Sequence, residues 1–175
     1  LDPRIVFEAG KTYKLSLWMK ANNIQGSGHA YAAVYNFNGS TLLNFNDFYT
    51  INPSNDITVY QNEIKSTYME WRKIEYSFTA PSGATRTDIL IGMYNVSGRV
   101  GFDKVQLIKV QDSSIVFSDD FEGTNPEQNW QQIIYSGTAN FGISGDAPVQ
   151  PDTGNKSLSI YVPSRNYSEV QWQKN

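Results

Sequence analysis

The sequence of 175 residues contains no cysteine. Disulfide frameworks, thiol nucleophiles and cysteine-based zinc sites are therefore excluded as explanations of its fold or chemistry. The chain also has a single histidine, His29, which directly follows the turn Gly26-Ser27-Gly28. A lone histidine is more often a surface or capping residue than a catalytic base. Composition therefore gives little support to histidine-dependent catalysis.

Clustered charge and long apolar runs are also missing. The formal net charge is −3, and no run of lysine and arginine occurs. Because phosphate neutralisation needs clustered cations, we expect no nucleic-acid partner. No stretch approaches the ~20 apolar residues of a membrane span, so we expect no membrane partner. The acids Glu63, Glu70 and Glu75 are too loosely spaced to predict the two facing carboxylates of a glycosidase. We therefore assign no catalytic residue.

Aromatic side chains, in contrast, are abundant. They make up 14% of the chain, and eleven of them are tyrosines. Tyrosine combines an apolar ring with a polar tip, which suits half-wet surfaces. A chain of this length is typical of one domain with a core large enough to need no covalent staples.

Apolar residues recur with a period of two, which is typical of half-buried strands. Every second residue from Tyr13 to Met19 is apolar, and an interruption at Asp103-Lys104 indicates a bulge. Since no long segment keeps a helical period, the pattern predicts an all-β protein, an antiparallel β-sandwich or jelly roll. The other predicted strands are His29–Phe37, Ile74–Phe78, Ile89–Tyr94, Val100–Leu107, Ile115–Phe117, Ala139–Ile143, Ser157–Val162 and Glu169–Gln173.

Three segments lack a clear alternation. Thr41–Tyr60 is expected to be a long loop that is either functional or a packed Ω-loop. Asp56–Glu70 has a helix-like pattern but many β-branched residues, which favour a loop or an irregular strand. Gln111–Ser118 is polar and then apolar, as in a connection that runs into a strand.

Motifs spread over nearly the whole chain resemble the galactose-binding-like jelly-roll carbohydrate-binding modules, the group that contains families 4, 9, 16 and 22. The passage from Ala9-Gly10-Lys11-Thr12-Tyr13 to Trp18-Met19-Lys20-Ala21 is highly characteristic of them. The remaining motifs are Asp120-Phe121-Glu122-Gly123 with Asn129-Trp130, Thr153-Gly154-Asn155-Lys156-Ser157-Leu158, Trp71, Ser77-Phe78-Thr79-Ala80-Pro81, and Val100-Gly101-Phe102-Asp103-Lys104-Val105-Gln106-Leu107. Lys104 departs from the group, which usually has a second acid there.

The order of these motifs differs from that of the group, because the closing motif precedes the opening one. Residues 1–110 match the C-terminal two-thirds of the pattern, 111–118 connect, and 119–175 match the N-terminal third. Two explanations stay open, namely a circular permutant and a piece of a tandem array. Either way, we expect residues 1–175 to form one domain, as a monomer or as a domain-swapped dimer.

The resemblance implies a glycan-binding cleft on the concave sheet, and alternation identifies side chains that would line it. If Ala30, Ala32 and Val34 face the core, their neighbours point outward. Sugar rings pack on aromatic rings, while amides and carboxylates bind hydroxyls. The predicted site residues are Tyr31, Tyr35, Tyr94, Glu169, Gln171 and Gln173, with Trp18 as a further candidate. The competing interpretation is a plain sheet surface, and a register error of one residue would exchange the glutamines for Trp172.

The resemblance also implies a structural calcium ion. Asp103 and Glu122 stand at the acidic positions of the group, and carbonyls near Asp120 and Lys156 would complete the shell of oxygens. The alternative is that these acids cap turns or face solvent.

Taken together, we expect a non-catalytic module that binds a polysaccharide or oligosaccharide of β-glucan, xylan or mannan type. It would be secreted or on a bacterial cell surface, as an accessory module of a glycoside hydrolase or another glycan-active protein. The alternative is a structural or adhesive module without a sugar site, and a small hydrolase is the weakest interpretation.

Overall fold

The computed structural model describes residues 7–53, 63–148, 154–164 and 168–174. These residues form ten β-strands, and no helix occurs among them. The prediction of an all-β sandwich is therefore confirmed. The strands are β1 (Thr12–Asn38), β2 (Thr41–Asn52), β3 (Glu63–Lys65), β4 (Met69–Thr79), β5 (Arg86–Lys109), β6 (Ser114–Asp119), β7 (Gln131–Ser136), β8 (Asn140–Ser144), β9 (Ser157–Val162) and β10 (Glu169–Lys174).

Two long strands, β1 and β5, pass through both layers of the sandwich. In sheet I, the first half of β1 lies between β4 and the second half of β5, and the order continues from β5 through β9 to β8. In sheet II the order is β3-β2-β1-β5-β10-β7, formed with the second half of β1 and the first half of β5. All pairs are antiparallel except β2 with β3. The two layers thus share a common pair of strands.

The long strands change layers where their pairing is interrupted, between Asn22 and His29. Gly26 adopts a φ of +143° there, a conformation that side chains disfavour. A Cβ on Gly28 would overlap the carbonyl oxygen of Tyr94. The glycines of the Gly26-Ser27-Gly28 turn therefore let the two backbones approach each other at this crossing.

The alternating apolar residues of both layers meet in one core. Leu15, Leu17 and Met19 are fully buried, as their spacing predicts. Across the layers, Phe48 of β2 stacks on Tyr76 of β4 with ring centroids 4.8 Å apart. Trp172 of β10 meets Phe141 of β8 edge-on at 5.0 Å. Since this core contains residues of both predicted segments, the first and last parts of the chain pack together.

Two of the uncertain segments can be compared with the structure. The prediction of a loop over Thr41–Tyr60 is wrong for its first part, because β2 pairs with β1 along most of its length. Positions 54–62, which carry part of the helix-like pattern, lie outside the described residues. The predicted bulge is present, since the β1–β5 register shifts beside Asp103 and Lys104 has a φ of +47°. Residues 110–113 form a turn, after which β6 pairs back onto β5.

Candidate functional site

The outer surface of sheet II brings together six of the seven residues that the sequence predicts for a glycan site. Tyr31 pairs with Gly92, and Gly92 pairs with Gln171. Tyr94 stands between His29 and Glu169 in the same way. We call this surface the sheet II face; it comprises His29, Tyr31, Ala33 and Tyr35 of β1, Asp47 of β2, Asp88, Leu90, Gly92 and Tyr94 of β5, and Glu169, Gln171 and Gln173 of β10.

The register of β10 follows from its alternating neighbours. Val170 and Trp172 are fully buried in the main core. Tyr31, Ala33 and Leu90 form a separate apolar cluster, with Tyr35 packed against it. The glutamines therefore lie on the outer surface and Trp172 lies inside, which excludes the shifted register.

Tyr31 lies flat on the sheet rather than standing up from it. Its ring covers Gly92, where a Cβ would come within 2.6 Å of the Tyr31 hydroxyl oxygen. The hydroxyl donates to Oε1 of Gln171 at 2.9 Å. Only 6% of Tyr31 is exposed, and this burial is the main cause that raises the pKa of its phenol far above the usual value. Tyr31 thus serves as a buried support for Gln171 and offers no open ring face.

The bond from Tyr31 begins a chain of polar contacts across β10 and β5. Gln171 Nε2 donates to Gln173 Oε1 at 3.2 Å, and Gln173 Nε2 donates to Asp88 Oδ2 at 2.9 Å. Arg86 Nε lies 2.9 Å from Asp88 Oδ1, at ion-pair distance but without hydrogen-bond alignment. Burial raises the pKa of the Asp88 carboxyl, and the Arg86 charge opposes that shift. This series of hydrogen bonds fixes the orientation of the neighbouring Gln171 and Gln173 amides.

His29 and Asp47 extend the same surface toward β2. Nε2 of His29 lies 3.9 Å from Oδ2 of Asp47. The imidazole packs against Tyr31 and Tyr94, with ring centroids 5.7 and 5.8 Å away. Burial raises the pKa of the Asp47 carboxyl. The single histidine therefore belongs to the candidate site, which its isolated position in the sequence does not predict.

Exposed aromatic rings border the fixed amides. Tyr94 is 36% exposed and stands next to Glu169 in the pairing of β5 with β10. Tyr35 is half-buried beside Phe45, whose ring centroid is 5.4 Å away and which is itself exposed. Burial raises the pKa of Tyr35 to about 12, and the negative charges of Asp47 and Glu169 add to that shift. These rings are the surfaces on which a flat ligand could stack.

Three polar members of this face, Asp88, His29 and Asp47, are not among the residues that the sequence predicts for the site. Asp88 is two positions from Leu90, and His29 is two positions from Tyr31. The period of two therefore indicates that both point to the same surface as these neighbours. Asp47 gave no such signal, because its segment was interpreted as a loop.

Trp18 is not part of this group. It lies in sheet I, opposite Lys73 of β4 and Asp103 of β5. The prediction of Trp18 as a further site residue fails because β1 changes layers between Asn22 and His29. Both side chains point away from the core, but on different sheets, so Trp18 and Tyr31 do not meet.

The predicted calcium ligands surround a buried carboxylate. Asp103 is fully buried; its Oδ1 accepts the backbone N–H of Lys104 at 2.6 Å, while Oδ2 has no hydrogen-bond partner. Burial, with the charges of Glu122 and Asp120, raises the pKa of Asp103 to about 7. Glu122 Oε1 accepts the backbone N–H groups of Asn155 and Lys156 at 2.9 and 2.6 Å.

This arrangement fits a hard cation beside Asp103. The cation would stabilise the buried Asp103 Oδ2, which has no hydrogen-bond donor, and the negative charges of Glu122 and Asp120. Lys156 departs from the expectation, since its ammonium group contacts the carbonyls of Glu122 and Gly123 at 3.2 Å. In the described part of the chain, no three histidine, aspartate or glutamate side chains form a metal-binding group. Any ion here would depend on Asp103, Glu122 and backbone oxygens.

Comparison with protein-family models, curated proteins and solved structures finds no match to this chain. Among the residues that the structure describes, no helix is long and apolar enough to cross a membrane.

Proposed function

We propose that the protein is a non-catalytic carbohydrate-binding module whose ligand lies on the sheet II face. The observation that carries this proposal is the chain of contacts from Tyr31 through Gln171 and Gln173 to Asp88, bordered by exposed aromatic rings. Fixed planar amides beside open rings match the two requirements of a sugar, hydroxyl groups that need partners and C–H faces that need an apolar surface. The motifs shared with the galactose-binding-like modules support the same conclusion.

The roles of the residues follow from their exposure. Tyr94 and the Tyr35–Phe45 pair provide stacking surfaces, while the half-exposed Gln173 and Glu169 can meet sugar hydroxyls. Because Gln171 and Gln173 are held by hydrogen bonds before a ligand arrives, binding orders few side chains. The face is open and wet, so we expect modest affinity for one glycan chain of β-glucan, xylan or mannan type. Such a module, secreted or on a bacterial surface, would tether a glycan-active partner.

A calcium ion has a structural role in this proposal. Asp103 and Glu122, which are about 20 positions apart in the chain, would hold it together with backbone oxygens. Asp103 pairs with β1 in sheet I, so this site is separate from the sheet II face. A cation that binds only the folded state adds its binding free energy to stability.

The test is affinity electrophoresis on gels that contain xylan, β-glucan or mannan, followed by calorimetry with the matching oligosaccharide. Wild-type protein should be retarded by at least one polymer. Tyr94→Ala should weaken binding about two- to twelvefold, because a stacking contact is worth about 0.5–1.5 kcal/mol. Tyr68→Ala is the matched control, since Tyr68 is similarly exposed but outside the sheet II face. Absence of retardation on every polymer, or equal loss in both variants, would refute the proposal.

A structural or adhesive module without a sugar site is the second candidate. It is favoured by the internal pairing of Tyr31, Gln171, Gln173 and Asp88, which leaves few of their polar atoms in need of a ligand. This candidate requires that no glycan binds and that copies associate. Light scattering over a range of concentrations separates a compact monomer from a swapped dimer.

A further inference from the structure

A second recess lies on the outer surface of sheet I, on the other side of the sandwich from the sheet II face. The recess is shallow, with a cavity volume of about 40 Å³. Because that volume holds little more than water, a ligand would lie across the open mouth of the recess rather than inside it. It is lined by Lys20, Asn22, Trp71, Arg99, Gly101 and Asp146, among others. We call it the sheet I recess.

Small residues form the floor of the sheet I recess. Gly101 of β5 pairs with Ser159 of β9, and Ser159 pairs with Gly142 of β8. The indole of Trp71 lies at the edge of this row, so close that a Cβ on Gly101 would be 3.0 Å from its ring. The indole therefore packs against a floor that carries no large side chain, and a ligand ring would contact the indole from the open side of the recess.

Asp146 holds this tryptophan in place. Its Oδ1 accepts the indole N–H at 3.1 Å, and its Oδ2 accepts Nζ of Lys20 at 2.8 Å. The backbone of Asp146 is fixed in turn, because its carbonyl accepts the Ser157 hydroxyl at 2.7 Å. Tryptophan and lysine therefore have defined positions, and the charge of Lys20 is already neutralised.

Arg99 supplies the second cation of the recess, and its charge also acts on Asp146. It stands opposite Asn22 on β1 and Tyr161 on β9, and its guanidinium lies 5.3 Å from the centroid of the exposed Tyr161 ring. No carboxylate of the described residues lies within ion-pair distance of it, and its side chain is exposed. A guanidinium stacked on a ring keeps its planar edge of N–H donors free for a carboxylate.

We propose that the sheet I recess binds an acidic sugar residue, a uronate within a glycan chain. The sugar ring lies on the Trp71 indole, and its carboxylate accepts hydrogen bonds from Arg99. This site goes beyond the proposed function, because it shares no residue with the sheet II face and requires a different class of glycan. Either site can fail without the other.

The test is calorimetry with trigalacturonate and affinity electrophoresis on polygalacturonate, with neutral mannan and β-glucan gels run in parallel. Arg99→Gln should weaken polygalacturonate binding about tenfold or more, because hydrogen bonds to a charged group are lost. Trp71→Ala should do the same. Binding should also weaken as salt is raised, since the ion pair is exposed.

Two controls separate this proposal from others. Lys11→Gln removes one exposed positive charge far from the recess and should leave binding unchanged. Tyr94→Ala, which tests the sheet II face, should leave polygalacturonate binding unchanged as well. Because Arg99 is exposed, Arg99→Gln is expected to fold even if Trp71→Ala does not, and thermal melts check both.

Three results would overturn the inference. The first is that polygalacturonate and trigalacturonate do not bind. The second is that Arg99→Gln binds as the wild type does, or that Lys11→Gln loses as much. The third is that Trp71→Ala abolishes binding of a neutral glycan while Arg99→Gln has no effect, which would make the site one for neutral sugars.

Discussion

Removing the hydroxyl of Tyr31 tests the polar chain on which the sheet II face depends. In Tyr31→Phe the ring still covers Gly92, but Gln171 Oε1 loses its donor at 2.9 Å. Gln171 is almost fully buried, with 3% of its surface exposed. A buried acceptor left without a partner costs about 1–3 kcal/mol, so we expect the free energy of unfolding to fall by that amount. Urea denaturation at neutral pH measures it.

Tyr35→Phe is the matched control. It removes the same hydroxyl four positions along β1, from a half-buried ring outside the chain of hydrogen bonds. A change below about 0.5 kcal/mol is expected there. The double variant Tyr31→Phe with Gln171→Met should show a coupling of about 0.5–3 kcal/mol, because the two side chains contact each other directly.

The same variant has a functional readout. Without its partner, Gln171 is free to turn, and Gln173 loses the support of the amide beside it. Tyr31→Phe should therefore weaken binding of the glycan that the wild type retains, although its hydroxyl is not exposed. The reasoning is refuted if Tyr31→Phe and Tyr35→Phe are equally stable, or if the double-variant cycle shows no coupling.

Two further predictions concern other parts of the molecule. Burial raises the pKa of Asp103 from 3.8 to about 7 in the folded state. In EDTA, where no calcium is bound, the protonated carboxyl therefore stabilises the fold, and this stabilisation is complete below about pH 4. This stabilisation, up to about 4 kcal/mol, is lost as the pH rises to about 7. Calcium should restore it, and Asp103→Asn should flatten the melting temperature against pH; an unchanged profile in Asp103→Asn contradicts the assignment. Gly92→Ala places a Cβ 2.6 Å from the Tyr31 hydroxyl oxygen and from the backbone oxygen of Val170, so it should cost about 1–3 kcal/mol. Gly142→Ala, with no atom within 4 Å of its Cβ, should cost little in the same urea titration, and equal midpoints for the two variants would show that the close approach is absent.

The sequence by itself determined most of the strands, though not β2 or β7, and the face on which most of their side chains lie. In a strand, alternate side chains lie on one of two faces. The face that carries the apolar residues is the buried one, because burial of apolar surface stabilises the sheet. This pattern alone predicts that Val170 and Trp172 lie on one side of β10 and the glutamines on the other. The inward positions of β1 and β5 followed in the same way.

Only the tertiary structure decided which of the outward residues meet. Tyr31 and Gln171 are 140 positions apart, and no local pattern relates them. Trp18 and Tyr31 both point away from the core on one strand, but the crossing between Asn22 and His29 places them on different sheets. β2 is a strand because its backbone groups pair with β1. Its own polar sequence does not indicate this pairing. The physical reason is common to all three, since period and propensity act over a few residues, whereas pairing between strands is fixed by the packing of the whole chain.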